Sequence, residues 1–134
     1  METLIDNDAA LLRYHLAPKI VHHEFRRFIH GEPFREVLTR GLEVLQKRGA
    51  IKWLSDDRHN GPIKPADAEW ASKVWVPRVL AAGWKYWAVV LPEKTLGQMN
   101  MMRWIDTYAA LGVTAQPFEH VEDAKHWLEE QIHG

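Results

Sequence analysis

A short, unbroken apolar run from Tyr86 to Leu91 is the feature that most constrains the fold of this sequence. The run is too short for a buried helix and is rich in residues that favour strands. Continuous apolar runs of this kind are typical of parallel strands that are covered on both faces. We therefore expect Tyr86–Leu91 to lie in the middle of a sheet that has helices packed against it.

The preceding segments predict two strands and a helix. The extended segments Leu11–Leu16 and Lys19–Phe25 flank the dipeptide Ala17-Pro18, which favours a turn, so the two segments are expected to form an antiparallel pair. An amphipathic stretch then follows between Pro33 and Gly49, two residues that suit the start and the end of a helix.

The rest of the chain continues the alternation of strands and helices. The predicted elements are a strand at Ile51–Ser55, a helix opened by Pro65 and interrupted near Pro77, a helix from Thr95 to about Leu111, an edge strand at Val113–Phe118, and a C-terminal helix with a buried stripe of Val121, Ala124, Leu128 and Ile132. The predicted order is ββαβαβαβα, an α/β fold with a mixed five-stranded sheet and four helices. A single domain is expected over residues 1–134, with residues 1–8 as a candidate disordered tail.

Composition narrows the classes of function. The chain has 134 residues, 17 basic and 18 acidic side chains and no cysteine, so thiolate chemistry and cysteine-ligated metals are excluded. The near-zero net charge disfavours a nucleic-acid partner. No signal peptide and no long apolar segment is found. We therefore expect a cytoplasmic protein that neither binds nucleic acid nor inserts into a membrane, and no cofactor motif is present.

A run of four ionisable residues follows the strand Ile51–Ser55, at the carboxyl edge where open α/β sheets bind ligands. The predicted ligand- or partner-binding residues are Asp56, Asp57, Arg58 and His59, with Trp53 and Trp70 as an apolar wall. On this hypothesis, replacing Asp57 or Arg58 by alanine abolishes binding and changes stability by less than about 1 kcal/mol, as is usual for exposed sites. The alternative is that the carboxylates only satisfy loop amides.

Histidines offer a second possible chemistry. Asp56, Asp57, His59 and His120 include acceptable metal ligands, but they lack the spacing of a metal motif, so no metal site is predicted. His22 and His23 are neighbours in a strand and must point to opposite faces, so they cannot chelate one ion together. We expect one of them to be packed and the other solvated.

Aromatic residues suggest two further surfaces. Trp70, Trp75, Trp84 and Trp87 could wall a pocket for a lipid or an aromatic ligand, or could simply fill the core.

On the helix that starts near Thr95, the predicted inward stripe is Met101, Met102, Ile105, Tyr108 and Ala109. Trp104 and Leu111 lie to one side of that stripe and form a candidate association patch, because monomers usually avoid exposed apolar groups of this size. A homodimer, or a contact with a protein partner, is therefore expected there.

Three segments carry a family resemblance: WLSDDR at Trp53–Arg58, the segment Glu69–Glu93, and FEHVEDAKHWLEE at Phe118–Glu130. Together they resemble bacterial STAS-like domains of unknown function, within the anti-sigma-factor-antagonist-like superfamily. The resemblance implies a sheet with helices packed on it and a habit of binding partners. It does not extend to the phosphorylated serine of the antagonists, because this chain has Ser55-Asp56-Asp57-Arg58 in that region and Ser72 falls inside a predicted helix.

Three functions are compatible with these observations. The first is a non-catalytic binding or regulatory module that contacts a protein partner or a small ligand, and the absence of catalytic motifs favours it. The second is a carrier of hydrophobic ligands or lipids that is lined by tryptophans. The third is an enzyme that uses the loop containing Asp56, Asp57 and His59.

Overall fold

The structure is a computed structural model that describes residues 1–131. Its strands are β1 Glu2–Asp6, β2 Ala10–His15, β3 Ile20–Phe25, β4 Lys52–Asp56, β5 Tyr86–Val90 and β6 Thr114–Phe118. Its helices are α1 Glu32–Arg48, α2 Pro65–Trp70, a π-helical segment Ala71–Trp75, α3 Val76–Ala81, α4 Thr95–Ala110 and α5 Val121–Glu129. The π-helical segment joins α2 to α3 without a break, so residues 1–131 form four helical stretches.

The strands form one mixed sheet in the order β1-β2-β3-β4-β5-β6. The pairs β1–β2 and β2–β3 are antiparallel, and the remaining pairs are parallel. The predicted α/β class and the antiparallel pair near the N-terminus are confirmed. The predicted number of five strands is wrong, because the segment proposed as a disordered tail forms β1. Asn7 makes the turn that allows this, since its side-chain oxygen accepts hydrogen bonds from the amides of Ala9 and Ala10.

The two faces of the sheet are covered unequally. The helices α1 to α4 and the larger hydrophobic core lie on one face. On the other face α5 packs against β5, β4 and β6, over a smaller core that includes Leu54, Ala88 and Leu128. We call the first face the aromatic face, because most of the tryptophans lie there, and the second the open face. Ile132, the last residue of the predicted α5 stripe, lies outside the described residues.

Strand β5 is buried on both faces, as its apolar run predicted. Trp87 and Val89 belong to the larger core, whereas Ala88 and Val90 belong to the smaller one. The strand does not lie in the middle of the sheet, however, because its neighbour β6 is the edge strand. The expected edge position of β6, with Pro117 as a residue that cannot donate to a ladder, is confirmed.

The break expected at Pro77 takes the form of the π-helical segment. Proline has no amide proton, and its ring crowds the carbonyl four residues earlier, which is that of Lys73. The wider turn of Ala71–Trp75 contains that residue, and the amide of Val76 donates to the carbonyl of Ala71. The chain therefore continues as α3 after Pro77.

Helix α4 differs from its predicted stripe at two positions. Met101, Ile105 and Tyr108 are buried as expected, but Met102 and Ala109 are exposed. The buried stripe is therefore narrower than the sequence pattern suggested. No helix within residues 1–131 is both long and apolar enough to cross a membrane.

Candidate functional site

The predicted site residues follow the alternation of a strand and lie on both faces of the sheet. Asp56 is the last residue of β4 and points to the open face, whereas Asp57 points to the aromatic face. Both carboxylates are buried, with 2% and 3% of the residue exposed. The expectation that they are exposed loop residues is therefore wrong, because β4 extends one residue beyond Ser55 and the Asp57 amide continues the ladder by donating to the Val90 carbonyl.

Asp57 is part of a buried chain of hydrogen bonds on the aromatic face. Its Oδ1 lies 2.9 Å from Nε2 of His23, and Nδ1 of His23 accepts a hydrogen bond of 3.0 Å from Nε1 of Trp53. An indole nitrogen can only donate, so Nδ1 carries no proton. Nε2 therefore carries the proton and donates to Asp57, and both nitrogens of this neutral imidazole are engaged.

The ring of Trp53 lies directly against α1. A Cβ atom on Gly41 would collide with this ring, so glycine at that position allows the close approach. Trp53 is 1% exposed and packs edge-on against Trp75 with 5.3 Å between the ring centroids. Trp53 is thus placed by a helix, a neighbouring ring and a hydrogen bond, which makes it a rigid part of the site.

Three further aromatic side chains extend the cluster of Trp53 and Trp75. The ring centroid of Trp84 lies 5.5 Å from those of Trp75 and Trp87, and the ring centroid of Tyr108 lies 5.2 Å from that of Trp87. Nε1 of Trp87 donates to Oγ of Ser55 over 2.8 Å. Burial raises the pKa of Tyr108 to about 12, so its hydroxyl stays protonated at neutral pH.

The aromatic cluster does not close completely. A cavity of about 50 Å³ is left among the rings, with His23, Ser55 and Asp57 in its wall. Trp104 also lines the cavity, and its Nε1 is buried without a hydrogen-bond partner among the described residues. The cavity wall thus combines apolar rings with one side chain whose buried donor is unsatisfied within residues 1–131.

The cavity lies next to a surface cleft of about 250 Å³. Ile63, Ala68 and Trp104 line both spaces and form the wall between them. Asn100 and Arg103 line the outer cleft only. The Oδ1 of Asn100 accepts from the Ile63 amide over 3.0 Å, which holds the loop before α2 against α4.

On the open face, Asp56 forms a two-pronged ion pair with Arg58. Nε and Nη2 of Arg58 donate to the two oxygens of Asp56, each over 2.9 Å. This hydrogen bonding raises the pKa of Arg58 further. The pair lines a polar cleft that also contains His22 and His120. The structure therefore brings His120 close to Asp56, but not into the cavity with Asp57.

The remaining predicted residues lie apart from the cavity. His59 is exposed and its Nδ1 lies 3.1 Å from a carboxylate oxygen of Glu93. Trp70 is half-buried, lies outside the cavity wall, and has the guanidinium of Arg35 5.4 Å from its ring centroid. The proposal that these six residues bind a ligand or a partner stays a prediction.

The candidate association patch is smaller than expected. Trp104 is half-buried, and its ring lies 6.0 Å from that of Tyr108, whereas Leu111 is 51% exposed. The inward turn of Trp104 leaves Leu111 as the exposed apolar side chain of the pair. The homodimer stays a prediction.

Sequence reasoning missed His23, Ser55 and Trp104 as lining residues of one cavity. A usable signal was present for two of them. In parallel strands, residues in register share a face, and His23 lies opposite Ser55 in the β3–β4 pair. His22 and His23 do point to opposite faces, but the expectation that one is solvated is wrong, since both are less than 5% exposed.

Within residues 1–131, no group of three or more histidine, aspartate or glutamate side chains is arranged to hold a metal ion. Comparison of the chain with protein-family models, with curated proteins and with solved structures finds no match. The fold and the geometry of the two faces are therefore the basis for assigning a function.

Proposed function

We propose that this chain is a non-catalytic binding module that holds a small, mostly apolar ligand in the cavity of the aromatic face. The observation that carries the proposal is Trp104, which lines a cavity walled by aromatic rings and whose buried Nε1 has no hydrogen-bond partner within residues 1–131. An unsatisfied buried donor costs about 1–3 kcal/mol, and a ligand with an acceptor group would remove that cost. Small-molecule sites generally combine apolar walls with a few polar groups in this way.

The hydrogen bonding of His23 supports binding rather than catalysis at this site. Its Nδ1 accepts from Trp53 and its Nε2 donates to Asp57, so neither nitrogen is free to take a proton from a substrate. Ser55 accepts from Trp87 and has no base within hydrogen-bond reach among the residues described. A general base must lie within about 3 Å of the proton that it removes. The proposal therefore gives these groups a role in shaping the polar wall.

The size of the cavity indicates how a ligand would enter. At about 50 Å³ the cavity is smaller than the ~150 Å³ that holds benzene in an engineered protein core. Rotation of the Trp104 side chain would join it to the outer cleft, because Trp104 lies in the wall between the two. Arg103 in the outer cleft would then face an acidic group of the ligand. A small aromatic or aliphatic carboxylate fits this arrangement.

The fold supports the STAS-like resemblance as part of the proposal. The predicted order of strands and helices recurs with one added N-terminal strand. We assign the chain to no phosphorylation mechanism, because Ser72 lies in the π-helical segment rather than at a helix start. Contact with a protein partner, or between two copies through Leu111, would accompany ligand binding in such a regulatory module.

Titration of the purified protein with benzoate and with hexanoate tests the proposed function. We expect a saturable change in tryptophan fluorescence, and saturable shifts of the Trp104 indole signal in ¹⁵N-edited NMR spectra. Ala71 is buried in the cavity wall, so Ala71→Leu should fill the space and abolish the response. Ala109→Leu makes the same change at an exposed position of α4 and should bind like the wild type.

Two outcomes would overturn the proposal. One is the absence of a saturable response to either probe in the folded wild-type protein. The other is normal binding by Ala71→Leu, which would place the ligand outside the cavity. In either case, native mass spectrometry of protein purified from its own cells would give the mass of any molecule that is bound elsewhere on the chain.

A further inference from the structure

The open face carries a second cleft, which is separate from the aromatic cavity. It has a volume of about 360 Å³ and lies where β3 and β4 end and α5 begins. Its walls are polar and include the Asp56–Arg58 ion pair. The sheet itself separates this cleft from the cavity, so the two sites have no lining residue in common.

His22 is the most unusual residue of the cleft. Only 4% of the residue is exposed, and its Nδ1 lies 3.0 Å from Nε2 of His15. Its Nε2, in contrast, is buried and has no partner among the described residues. Nearly all buried polar groups in proteins are hydrogen-bonded, so an unpartnered nitrogen on a residue that lines a cleft indicates a missing partner.

Arg13 presents a second unsatisfied donor beside His22. The two residues are direct partners in the antiparallel β2–β3 pair, so their side chains lie next to each other on one face. Nε of Arg13 is buried and lacks a hydrogen-bond partner in the described part of the chain. The guanidinium and the imidazole nitrogen therefore offer neighbouring polar groups to one ligand.

The start of α5 forms the opposite wall of the cleft. His120 is the N-cap residue, and no side chain within residues 1–131 caps the helix start. The first intrahelical backbone bond reaches the amide of Ala124, so the amides of residues 121–123 are left for other acceptors. Free amides and the helix dipole favour a negatively charged group at this position.

Carboxylates in the cleft restrict the ligand further. Asp56 is neutralised by its ion pair with Arg58, but Glu24 and Glu122 also line the cleft and would repel a simple anion. A ligand that brings both an anionic group and hydrogen-bond donors satisfies both sets of groups. The charges thus favour a small polar molecule of mixed character over a bare anion.

We propose that this cleft binds the carboxylate or phosphate group of a small polar molecule, with Arg13, Nε2 of His22 and the first amides of α5 as donors. The proposal requires His15 to donate to Nδ1 of His22, so that the single proton of His22 lies on Nε2 and points to the ligand. Burial first, and Arg13 second, lower the pKa of His22 to about 3, so the ring is neutral at pH 7 and carries that single proton.

NMR titration with phosphoethanolamine and with glycine, which both carry an ammonium group beside the anionic group, tests this site at constant ionic strength and distinguishes the two anionic groups. We expect saturable shifts of the His22 ring nitrogens and of the Val121 and Glu122 amides with at least one probe. The probe that saturates at the lower concentration identifies phosphate or carboxylate as the preferred group. Glycinamide, which lacks the carboxylate, should give no saturable shift.

Three variants make the assignment specific. Arg13→Gln removes the guanidinium and should weaken binding at least tenfold. Val121→Pro removes one amide at the first helical position, where proline is tolerated, and should weaken binding severalfold in a folded protein. Arg40→Gln makes the same charge change on α1, across the sheet, and should have no effect.

The proposal fails if neither probe gives a saturable shift at the cleft of the folded wild-type protein. It also fails if Arg13→Gln and Val121→Pro both fold and bind as tightly as the wild type. Because Ala71→Leu alters only the aromatic face, this variant should still bind the probe here. If the aromatic cavity failed to bind its probes, the result of the titration at this cleft would therefore still stand.

Discussion

Neighbouring residues of one strand lie on opposite faces of the sheet, and the polar side chains of the two faces differ in how fully they are hydrogen-bonded. On the aromatic face, His23, Ser55 and Asp57 are each hydrogen-bonded to another side chain inside the protein. On the open face, His22 is just as buried, but one of its ring nitrogens has no partner in the described part of the chain. Burial alone therefore does not show how well a polar group is satisfied, and the difference locates the groups that await a ligand.

Helix coverage explains the contrast. The helices α1 to α4 close the aromatic face, so the polar groups of its strands find partners within the protein. The exception on this face is Nε1 of Trp104, on α4, which has no partner within residues 1–131. On the open face α5 packs on β4, β5 and β6, and β2 and β3 lie to one side of it. The cleft with Arg13 and His22 lies at this border, where a ligand can reach buried groups.

The largest expected effect comes from a charge in β5, the strand that both faces share. Val89 has no exposed surface and packs in the larger core, so Val89→Asp would bury an unpaired carboxylate. The cost exceeds the ~5–15 kcal/mol by which domains are usually stable, and we expect no cooperative thermal transition by circular dichroism. Thr114→Asp places the same charge on the exposed edge strand β6 and should melt near the wild-type temperature. A folded Val89→Asp protein would contradict the burial of β5.

Alanine substitution of the two adjacent aspartates compares the faces directly. Asp57→Ala leaves Nε2 of His23 buried without an acceptor and should cost about 3 kcal/mol of unfolding free energy. Asp56→Ala releases Arg58, whose side chain is 38% exposed and can be hydrated, so about 1 kcal/mol is expected. Urea unfolding at pH 7 measures both values. Equal losses would show that the two carboxylates are equally satisfied in the folded protein.

Acidification should act mainly through the open face. The folded-state pKa of His22, about 3, lies below the usual value near 6.5, so between these limits the unfolded state binds more protons. Stability therefore falls as the pH is lowered, by about 2 kcal/mol for this residue between pH 7 and pH 5. Over the same pH range, the free energy of unfolding of His22→Phe should fall by about 2 kcal/mol less than that of the wild type. Urea unfolding at pH 7 and at pH 5 measures both values. An unchanged slope in His22→Phe would contradict the buried neutral ring.

The sequence predicted the order of elements but placed both aspartates in one site. The error came from ending β4 at Ser55, because polar residues after an apolar strand resemble a loop. In the structure Asp56 stays in register with Glu24 and Val90, and one additional strand residue sends Asp56 and Asp57 to opposite faces. A boundary shift of one residue thus reassigns the whole site, since side chains alternate along a strand.

The aromatic cavity could not be predicted from the sequence. Its walls come from β3, β4, β5, α1, α2, the π-helical segment and α4, and the space is what remains after their side chains have packed. Composition showed seven tryptophans, but it carried no information about which indole nitrogens would find acceptors. That outcome depends on distances between elements that are far apart along the chain.

The smallest expected effect distinguishes two tryptophans of the same cavity wall. Trp53→Phe removes the donor to His23 and leaves space against α1, so a loss of about 2–3 kcal/mol is expected. Trp104→Phe also removes ring atoms, but it eliminates an indole N–H that is buried and has no partner among residues 1–131. The two contributions oppose each other, and the net change should lie within about 0.5 kcal/mol of zero. Urea unfolding of both variants without added ligand gives the two values. A loss in Trp104→Phe as large as that in Trp53→Phe would mean that the Trp104 indole already has a partner in the free protein, and the proposed ligand would then lose its donor.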